Sequence, residues 1–321
     1  MNTTSTLKAN FSTQRRLKKA SVLTILANKT LVYPDPFGRI VQNTIACSTS
    51  GSHFLFCASG SIYNSSDFGS TIALTTLPSG IFAVAISSSG QYQAAVSTGS
   101  PTCIINMSNN FGVTWVAAFT VGPNSGRYTE CVCIDSTGQY VFAGGGGSAG
   151  LRNYLSTDFG VTFKQVNPLL YRNSCAFNDI TKKVVYFDYY NGRTCNVLMT
   201  ANPLAETIMI PNVIAGAWSI TIDSTGDKIA FASRTTSNIA YSLDAGLTYT
   251  TKPSPWFFHI MYTGSVLWGN LAASIQKSVD NGTTWTIVIG GLPTTKSFCV
   301  SKSMTYIFIV FVNGNIGCYN L

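Results

Sequence analysis

The sequence predicts an all-β fold built from repeated four-stranded antiparallel units. Three observations carry this prediction: a motif that recurs five times, a short turn that recurs seven times, and strand-like apolar runs between them. Val, Ile, Phe and Tyr dominate these runs, and Gly, Ser and Asn bound them, as is typical of strands. No segment keeps a helical period over three turns, so helices contribute little to the predicted fold.

The recurring motif reads S-x-[DN]-x-G-x-T followed by an aromatic residue, which Ile72 replaces once. A glycine at a fixed turn position takes a positive φ at no steric cost. The Asp or Asn side chain accepts backbone N–H groups two residues on. We therefore expect the motif to form a tight turn before the fourth strand of a unit. Its copies begin at Ser65, Ser108, Ser156, Ser242 and Ser278.

The shorter turns, here called A–B turns, join the first and second strands of each unit. They recur at intervals of 38 to 48 residues, a period that suits a four-stranded propeller blade. The sequence thus predicts a single seven-bladed β-propeller over residues 21–321. The A–B turns end at Gly51, Gly90, Gly138, Lys182, Gly226, Gly264 and Met304.

The seventh unit has only three predicted strands: 297–300, 306–312 and 316–320. A propeller must close its ring or leave two sheet edges exposed. We expect an N-terminal segment within Ser21 to Tyr33 to supply the missing outer strand. Residues 1–20 would then form a basic N-terminal arm.

The net charge of +8 lies mainly in this arm, because six basic residues precede the first acid, Asp35. A basic tail can bind nucleic acid or an anionic surface. An organellar transit peptide and a passive terminus are the alternatives. The basic residues of the arm are Lys8, Arg15, Arg16, Lys18 and Lys19.

The nine cysteines include no C-x-x-C pair, and most lie inside apolar runs, which favours free thiols. Free thiols point to a reducing compartment such as the cytoplasm, or to a virus particle assembled there. The apolar run 22–27 is too short for a secretory signal, and no run is long enough to span a membrane. The sequence otherwise leaves the location open.

The motif resembles the Asp-box, or BNR repeat, of sialidases, sortilin-type receptors, xyloglucanases and photosystem II assembly propellers. The resemblance covers about residues 38–321 at the level of fold. It implies that the motif lies on the outer rim, away from the active face. The fourth unit departs from the pattern at 200–203, where the glycine is missing, and the seventh lacks the motif altogether.

Few residues are candidates for catalysis. A sialidase-like site would use Arg39, Arg127 and Arg172 with Tyr128 and Glu130, but the chain has only two glutamates, and most of its aspartates lie in the turns. A paired-carboxylate glycosidase therefore lacks acids. The two histidines have no metal-ligand spacing. We accordingly assign no catalytic residue, cofactor or metal.

One ring of residues is a candidate binding site. Counting eight residues back from each A–B turn reaches the starts of the inner strands, which line one mouth of the propeller channel. Aromatic side chains there supply apolar area with a polar handle for a peptide or sugar, although they could equally plug the channel. The ring is Asn43, Phe82, Glu130, Ser174, Trp218, Trp256 and Lys296, with Arg127, Tyr128 and Arg172 beside it.

The sequence therefore predicts a non-enzymatic binding or scaffold propeller that contacts a protein or glycan through the inner-strand mouth. Low charge, abundant Ser, Thr and Asn, free thiols and a basic arm would also suit a structural component of a virion or other large assembly. The alternatives are a sialidase-like or other glycoside hydrolase and a photosystem assembly-like propeller.

Overall fold

The computed structural model describes residues 44–58, 60–75, 77, 80–97, 103–121, 127–147, 152–166, 172–188, 194–199, 207–211, 216–233, 235–312 and 316–321. For residues 127–130, 145–147, 152, 172–173, 187–188, 194–199 and 207–211 it describes the backbone alone. Asn43, the arm at 1–20, the expected closing strand at 21–33 and the irregular fourth motif at 200–203 lie outside the described residues.

The described residues form six four-stranded antiparallel sheets, blades 1 to 6, and a three-stranded sheet 7. Within each, the strands lie side by side in chain order. Blade 1 comprises β1 Ile45–Cys47, β2 Phe54–Ala58, β3 Ser61–Ser65 and β4 Ala73–Leu74. Blade 2 comprises β5 Ile81–Ile86, β6 Gln93–Ser97, β7 Cys103–Ser108 and β8 Val116–Val121. Blade 3 comprises β9 Arg127–Ile134, β10 Val141–Gly147, β11 Arg152–Ser156 and β12 Lys164–Val166. Blade 4 comprises β13 Arg172–Asn178, β14 Lys183–Asp188, β15 Thr194–Met199 and β16 Thr207–Pro211. Blade 5 comprises β17 Ala217–Ile222, β18 Ile229–Ser233, β19 Asn238–Ser242 and β20 Thr250–Pro253. Blade 6 comprises β21 His259–Thr263, β22 Val266–Leu271, β23 Ser274–Ser278 and β24 Thr286–Ile289. Sheet 7 comprises β25 Thr295–Val300, β26 Tyr306–Phe311 and β27 Ile316–Asn320.

The sheets are arranged in a ring, as in a β-propeller. Each first strand lies against the first strand of the next sheet, from β1 through β5, β9, β13, β17 and β21 to β25, and β25 lies against β1. Sheet 7 packs directly on blade 1, where the rings of Phe54 and Phe308 stack with centroids 4.3 Å apart. Apolar side chains fill this junction, including Ile45, Val310 and Ile316.

The predicted four-stranded antiparallel blade is confirmed, but the expected number of seven such blades is only partly met. Six sheets have four strands, whereas sheet 7 has three, so the structure does not show seven complete blades. The fourth strand of sheet 7 was expected from residues 21–33. Closure of the ring by an N-terminal strand is therefore not shown. In the described residues, sheet 7 meets blade 1 through packed side chains and through hydrogen bonds such as Ser303 N–H to Thr49 O, without strand pairing.

The core lies between adjacent sheets, because both faces of each sheet are covered by a neighbour. The middle strands are buried on both faces: β2, β6 and β18 are buried at every residue. Their sequences are consequently continuous apolar runs with little alternation, which is the pattern of two-sided burial. Exposed outer strands such as β8 and β24 lack this burial.

The five motifs adopt one geometry. In each, the residue before the glycine and the glycine itself both have positive φ, as in Phe159 at 61° and Gly160 at 80°. Val161 N–H donates to the Asp158 carbonyl across them at 3.2 Å. This is the turn geometry that hairpins favour, because its twist matches that of the flanking strands. The predicted tight turn between third and fourth strands is confirmed.

Candidate binding mouth

The propeller has two different ends. First and third strands run parallel within a blade, so A–B turns and motif turns emerge at the same end, here called the motif face. Backbone bonds join them: Phe111 N–H donates to the Gln91 carbonyl at 3.0 Å, and Ala245 N–H to that of Asp227 at 2.8 Å. The first strands begin at the opposite end, here called the upper mouth.

At the motif face, hydrogen bonds link successive A–B turns around part of the ring. They run from sheet 7 through blades 1, 2 and 3 to blade 4, and the Lys302 ammonium donates to the Asp179 carboxylate at 2.8 Å, joining sheet 7 to blade 4. This pair crosses from one side of the ring to the other. The backbone links are Ser303 N–H to Thr49 O, Thr49 N–H to Ser88 O, Ser88 N–H to Ser136 O, and Ser136 N–H to the Asp179 carboxylate.

At the upper mouth, β-bulges interrupt the first strands. In blade 2, Ile81 pairs with Ser97 and Ala83 with Val96, which leaves Phe82 as the extra residue. The same irregularity makes Glu130, Trp218 and Lys296 the extra residues of their strands. A bulge re-aims a side chain and is common beside functional sites.

Blade 4 has a bulge at the same level. Arg172 pairs with Asp188 and Cys175 with Tyr186, so Asn173 and Ser174 together face one residue of β14. The Ser174 side chain is buried, and its hydroxyl accepts the Ile220 N–H at 3.3 Å. This member of the predicted ring therefore joins two blades and does not face the opening.

In blade 6, the register places Phe258 and not Trp256 at the equivalent position. Phe258 N–H donates to the Asn270 carbonyl at 3.1 Å, and His259 N–H donates to the Asn270 side-chain oxygen at 2.6 Å. The pairing of β21 with β22 starts at His259–Asn270 and runs without a register shift, so the described pairing of blade 6 shows no bulge. Trp256 lies two residues earlier, is 49% exposed and stacks on Phe258 with centroids 6.4 Å apart. Sequence counting missed Phe258 because the sixth A–B turn is shorter than the others.

Lys296 is the charged member of the ring whose side chain the structure describes, and it is buried. Its charge acts on the Cys57 thiol of blade 1, although burial dominates there and raises the pKa of Cys57 to about 12. The Cys57 thiol donates to the Phe82 carbonyl at 3.5 Å. Lys296 of sheet 7 and the Phe82 carbonyl of blade 2 thus both act on the same buried thiol of blade 1.

The remaining predicted residues are placed through their backbone. Arg127, Tyr128 and Glu130 lie in the first half of β9, and Arg172 begins β13 in the next blade. The backbone of all four is therefore at the upper mouth, while their side chains lie outside the described residues. Arg39 and Asn43 precede the described residues. Phe82 and Trp218 are half-buried.

The His259 side chain connects blade 6 with sheet 7. Its Nδ1 lies 3.3 Å from the Ser297 hydroxyl, and both side chains are buried. Burial lowers the pKa of His259 to about 4, which a hydrogen bond at the Phe298 backbone only partly offsets. The imidazole is therefore neutral at physiological pH. Because the Ser297 side chain is 1% exposed, a substrate has no access to its hydroxyl, and the pair is structural.

A cavity of about 230 Å³ occupies the channel. First-strand residues of all seven sheets line it, among them Val84, Ile220 and Phe298, together with several cysteines. Among the described residues that line it, apolar side chains predominate and none is an acid.

No disulfide joins any of the eight cysteines whose side chains the structure describes. Among the same residues, no group of His, Cys, Asp or Glu has the arrangement of a metal site. No helix in the described ranges is long and apolar enough to cross a membrane.

The fold and mouth define a protein of the β-propeller class. No protein-family model matches the chain, and no curated protein matches it. Among solved structures, hydrazine synthase of Kuenenia stuttgartiensis is similar with a TM-score of 0.68 and 12% identity, over 92% of this chain and 98% of that one. A chain in a crystal structure of the mitotic checkpoint complex is similar with a TM-score of 0.70 and 9% identity, over 93% of each chain. At such identities the likeness shows the fold alone.

Proposed function

We propose that this propeller is a non-enzymatic binding module that docks a protein or a glycan on its upper mouth. The observation that carries the proposal is the set of bulges in the first strands. In four of the sheets the extra residue is Phe82, Glu130, Trp218 or Lys296, all at one end of the channel. Repeated bulges at one level are a designed feature of a sheet and re-aim these side chains.

The chemistry of the mouth supports such docking. Phe82 and Trp218 are half-buried, and Trp256 is half-exposed over Phe258, so the mouth offers rigid aromatic surface. Aromatic anchors with an adjacent charged group are characteristic of interface hot spots. At the other end of the channel, hydrogen bonds link five of the A–B turns, and Lys302 pairs with Asp179. β-Propellers commonly act as interaction scaffolds, in keeping with this assignment.

The test is a binding screen on the folded protein, using an immobilised glycan array and a displayed peptide library as probes. Trp256→Ala and Trp218→Ala should each lower the affinity for a captured probe by about 30-fold, which corresponds to a loss of ~2 kcal/mol of binding free energy at a hot spot. Val116→Thr is the matched control, because Val116 is an exposed apolar residue on the outer strand β8. Equal binding by the tryptophan variants and the control would disprove the mouth assignment.

A second candidate is a glycoside hydrolase. The backbone brings Glu130 to the upper end of β9 and Asp188 to the upper end of β14, opposite Arg172 in the sheet. Two acids and the arginines of neighbouring blades are what such a site would use. If fluorogenic glycosides are turned over and Glu130→Gln abolishes the turnover, the protein is a glycoside hydrolase. If none of the glycosides in the panel is turned over, the hydrolase is rejected and the binding module is kept.

We further propose that the ring is of the Asp-box type and that residues within 21–33 pair with β27 as the fourth strand of sheet 7. The support is that β27 has no outer partner strand among the described residues, whereas the six other sheets each carry one. Pro substitutions at Val22 or Ile25 should then lower thermal stability by several degrees, because proline removes a ladder hydrogen bond. An unchanged melting temperature for both variants would refute the closure.

The wider roles suggested by composition, a virion component and a photosystem assembly-like propeller, rest on sequence alone. Each would use the same upper mouth, so the binding screen bears on both.

A further inference from the structure

Two cysteines meet where the two ends of the described ring come together. Cys47 is the last residue of β1, the first strand of blade 1, and Cys299 lies in β25, the first strand of sheet 7. These two first strands lie against each other. A bond between them would therefore tie the beginning of the described ring to its end.

The pairing within each sheet places the two thiols at the same level of this junction. Cys47 pairs with Phe54 in blade 1, and Cys299 pairs with Phe308 in sheet 7. The Phe54 and Phe308 rings stack with centroids 4.3 Å apart, so the two rows of residues face each other. Because Cys47 and Cys299 are the inner members of these rows, each lies opposite the other.

Both side chains point into the junction. Alternate residues of a strand face opposite sides, and on β1 the side chains of Ile45 and Cys47 contact the apolar cluster that also contains Cys299. The neighbours of Cys299 on β25, Phe298 and Val300, belong to the cluster between blade 6 and sheet 7. The two thiols are hydrogen-bonded to each other. Facing side chains on closely packed strands are the arrangement that a disulfide requires.

Cys47 is also the accessible member of the pair. Of the eight cysteines whose side chains the structure describes, seven are buried, whereas Cys47 is partly exposed. A thiol reacts with an oxidant only where the oxidant can reach it. Oxidation should therefore begin at Cys47 and be completed by its buried neighbour, Cys299.

A second pair of facing thiols lacks this access. At the junction of blades 3 and 4, Cys133 pairs with Phe142, and Cys175 pairs with Tyr186. The Phe142 and Tyr186 rings stack with centroids 5.5 Å apart, and the Cys133 and Cys175 thiols are hydrogen-bonded. Both thiols are buried. This second pair resembles the first in its surroundings but offers an oxidant no exposed sulfur, so it serves as an internal comparison.

We propose that Cys47 and Cys299 form a disulfide when the protein meets a small-molecule disulfide such as oxidised glutathione, and that this bond locks the ring closed. The Cys47 thiolate attacks one sulfur of the reagent, which forms a mixed disulfide and expels one thiolate. The Cys299 thiolate then attacks the Cys47 sulfur and expels the second thiolate. Two protein thiols are oxidised and the reagent is reduced to two thiols, which take up the two protons that the cysteines lose.

The bond acts mainly on the unfolded chain. A crosslink restricts the unfolded ensemble more strongly as the chain between the two cysteines lengthens. The segment from Cys47 to Cys299 runs from blade 1 to sheet 7 and includes nearly all of the described ring. The folded chain needs little rearrangement, because the two thiols are already in contact. The oxidised protein should therefore melt about 5 °C or more above the reduced protein.

Peptide mapping without reductant, after incubation of the full-length protein with oxidised glutathione, tests the proposal. Burial raises the pKa of the Cys299 thiol and slows the second step, so samples are taken until the reaction stops. We expect a peptide pair crosslinked through Cys47 and Cys299, with a rise in melting temperature that dithiothreitol reverses. Cys47→Ser and Cys299→Ala should each remove both the crosslink and the rise.

Cys133→Ala is the matched control, because it removes a facing thiol at the junction without an exposed sulfur, and it should keep both the crosslink and the rise. Each variant is compared with its own reduced form, which cancels any effect of the substitution on folding. A Cys47 that stops at the mixed disulfide, or that links to Cys318 or to a second copy, would overturn the pairing. Earlier crosslinking of Cys133 to Cys175 would overturn the selection by access. A Cys47–Cys299 crosslink that leaves the melting temperature unchanged would overturn the lock.

Discussion

Ser156→Ala tests whether the motif serine is the buried anchor of its turn. The Ser156 side chain is 1% exposed, and its hydroxyl accepts the Gly160 N–H at 2.9 Å and the Asp158 N–H at 3.3 Å. It also donates to the Asp158 carboxylate at 2.8 Å. Alanine leaves the buried Gly160 N–H without its acceptor, a loss of about 1–3 kcal/mol.

Thermal unfolding followed by circular dichroism measures this loss. A change of 1 kcal/mol shifts the midpoint by about 2–4 °C in a domain of 150–250 residues, so the variant should melt several degrees lower. Thr157→Ala is the control, because Thr157 is exposed in the same turn. If Ser156→Ala and Thr157→Ala melt at the same temperature, the serine does not anchor the turn and the structural explanation of the repeat is wrong.

Three further predictions concern other parts of the ring. The pKa of buried His259 is about 4 when folded and near 6.5 when unfolded, so its contribution to stability should be complete above pH 6.5 and fall as pH drops towards 4. His259→Asn should reduce this slope in urea unfolding at stepped pH, and the remainder includes His53, whose pKa burial also lowers. Ala245 has a φ of 58°, so Ala245→Asn should raise the unfolding free energy by up to about 1 kcal/mol, and a decrease would contradict the strain assigned to it. Lys302→Met should lower the free energy of unfolding by less than about 1 kcal/mol, because its ion pair with Asp179 is exposed. Asp179→Ala also removes the acceptor of the Ser136 N–H and should lower it by about 1–3 kcal/mol. Equal losses in the two variants would assign the linkage of the turns to charge alone.

Much of the blade architecture could be predicted from the sequence, because period and turn chemistry are local properties. The strands predicted for the seventh unit at 297–300, 306–312 and 316–320 are confirmed as β25 to β27, within two residues at either end. The repeated motif marks the strand boundaries directly, because each copy lies between the third and fourth strands of a blade.

The site was less predictable, because it depends on register between strands. Counting back from the A–B turn found the bulged residues Phe82, Trp218 and Lys296, but the count failed in blade 6, where the shorter turn shifts Phe258 into place. Nor does spacing show that Ser174 faces the next blade. The Lys302–Asp179 pair was also beyond sequence reasoning, since the two residues meet across the ring only once it is closed.

The junction of blade 1 with sheet 7 has a consequence for how the chain folds. The Phe68 carbonyl and the Cys318 thiol are in contact although 250 residues separate them in sequence. Each other junction joins sheets that follow one another along the chain, so it can form locally as the chain is made. The last junction requires both ends of the ring, and such non-local contacts slow folding. Until it forms, β1 and β25 each present an uncovered apolar face, and an incomplete chain would expose those faces to aggregation.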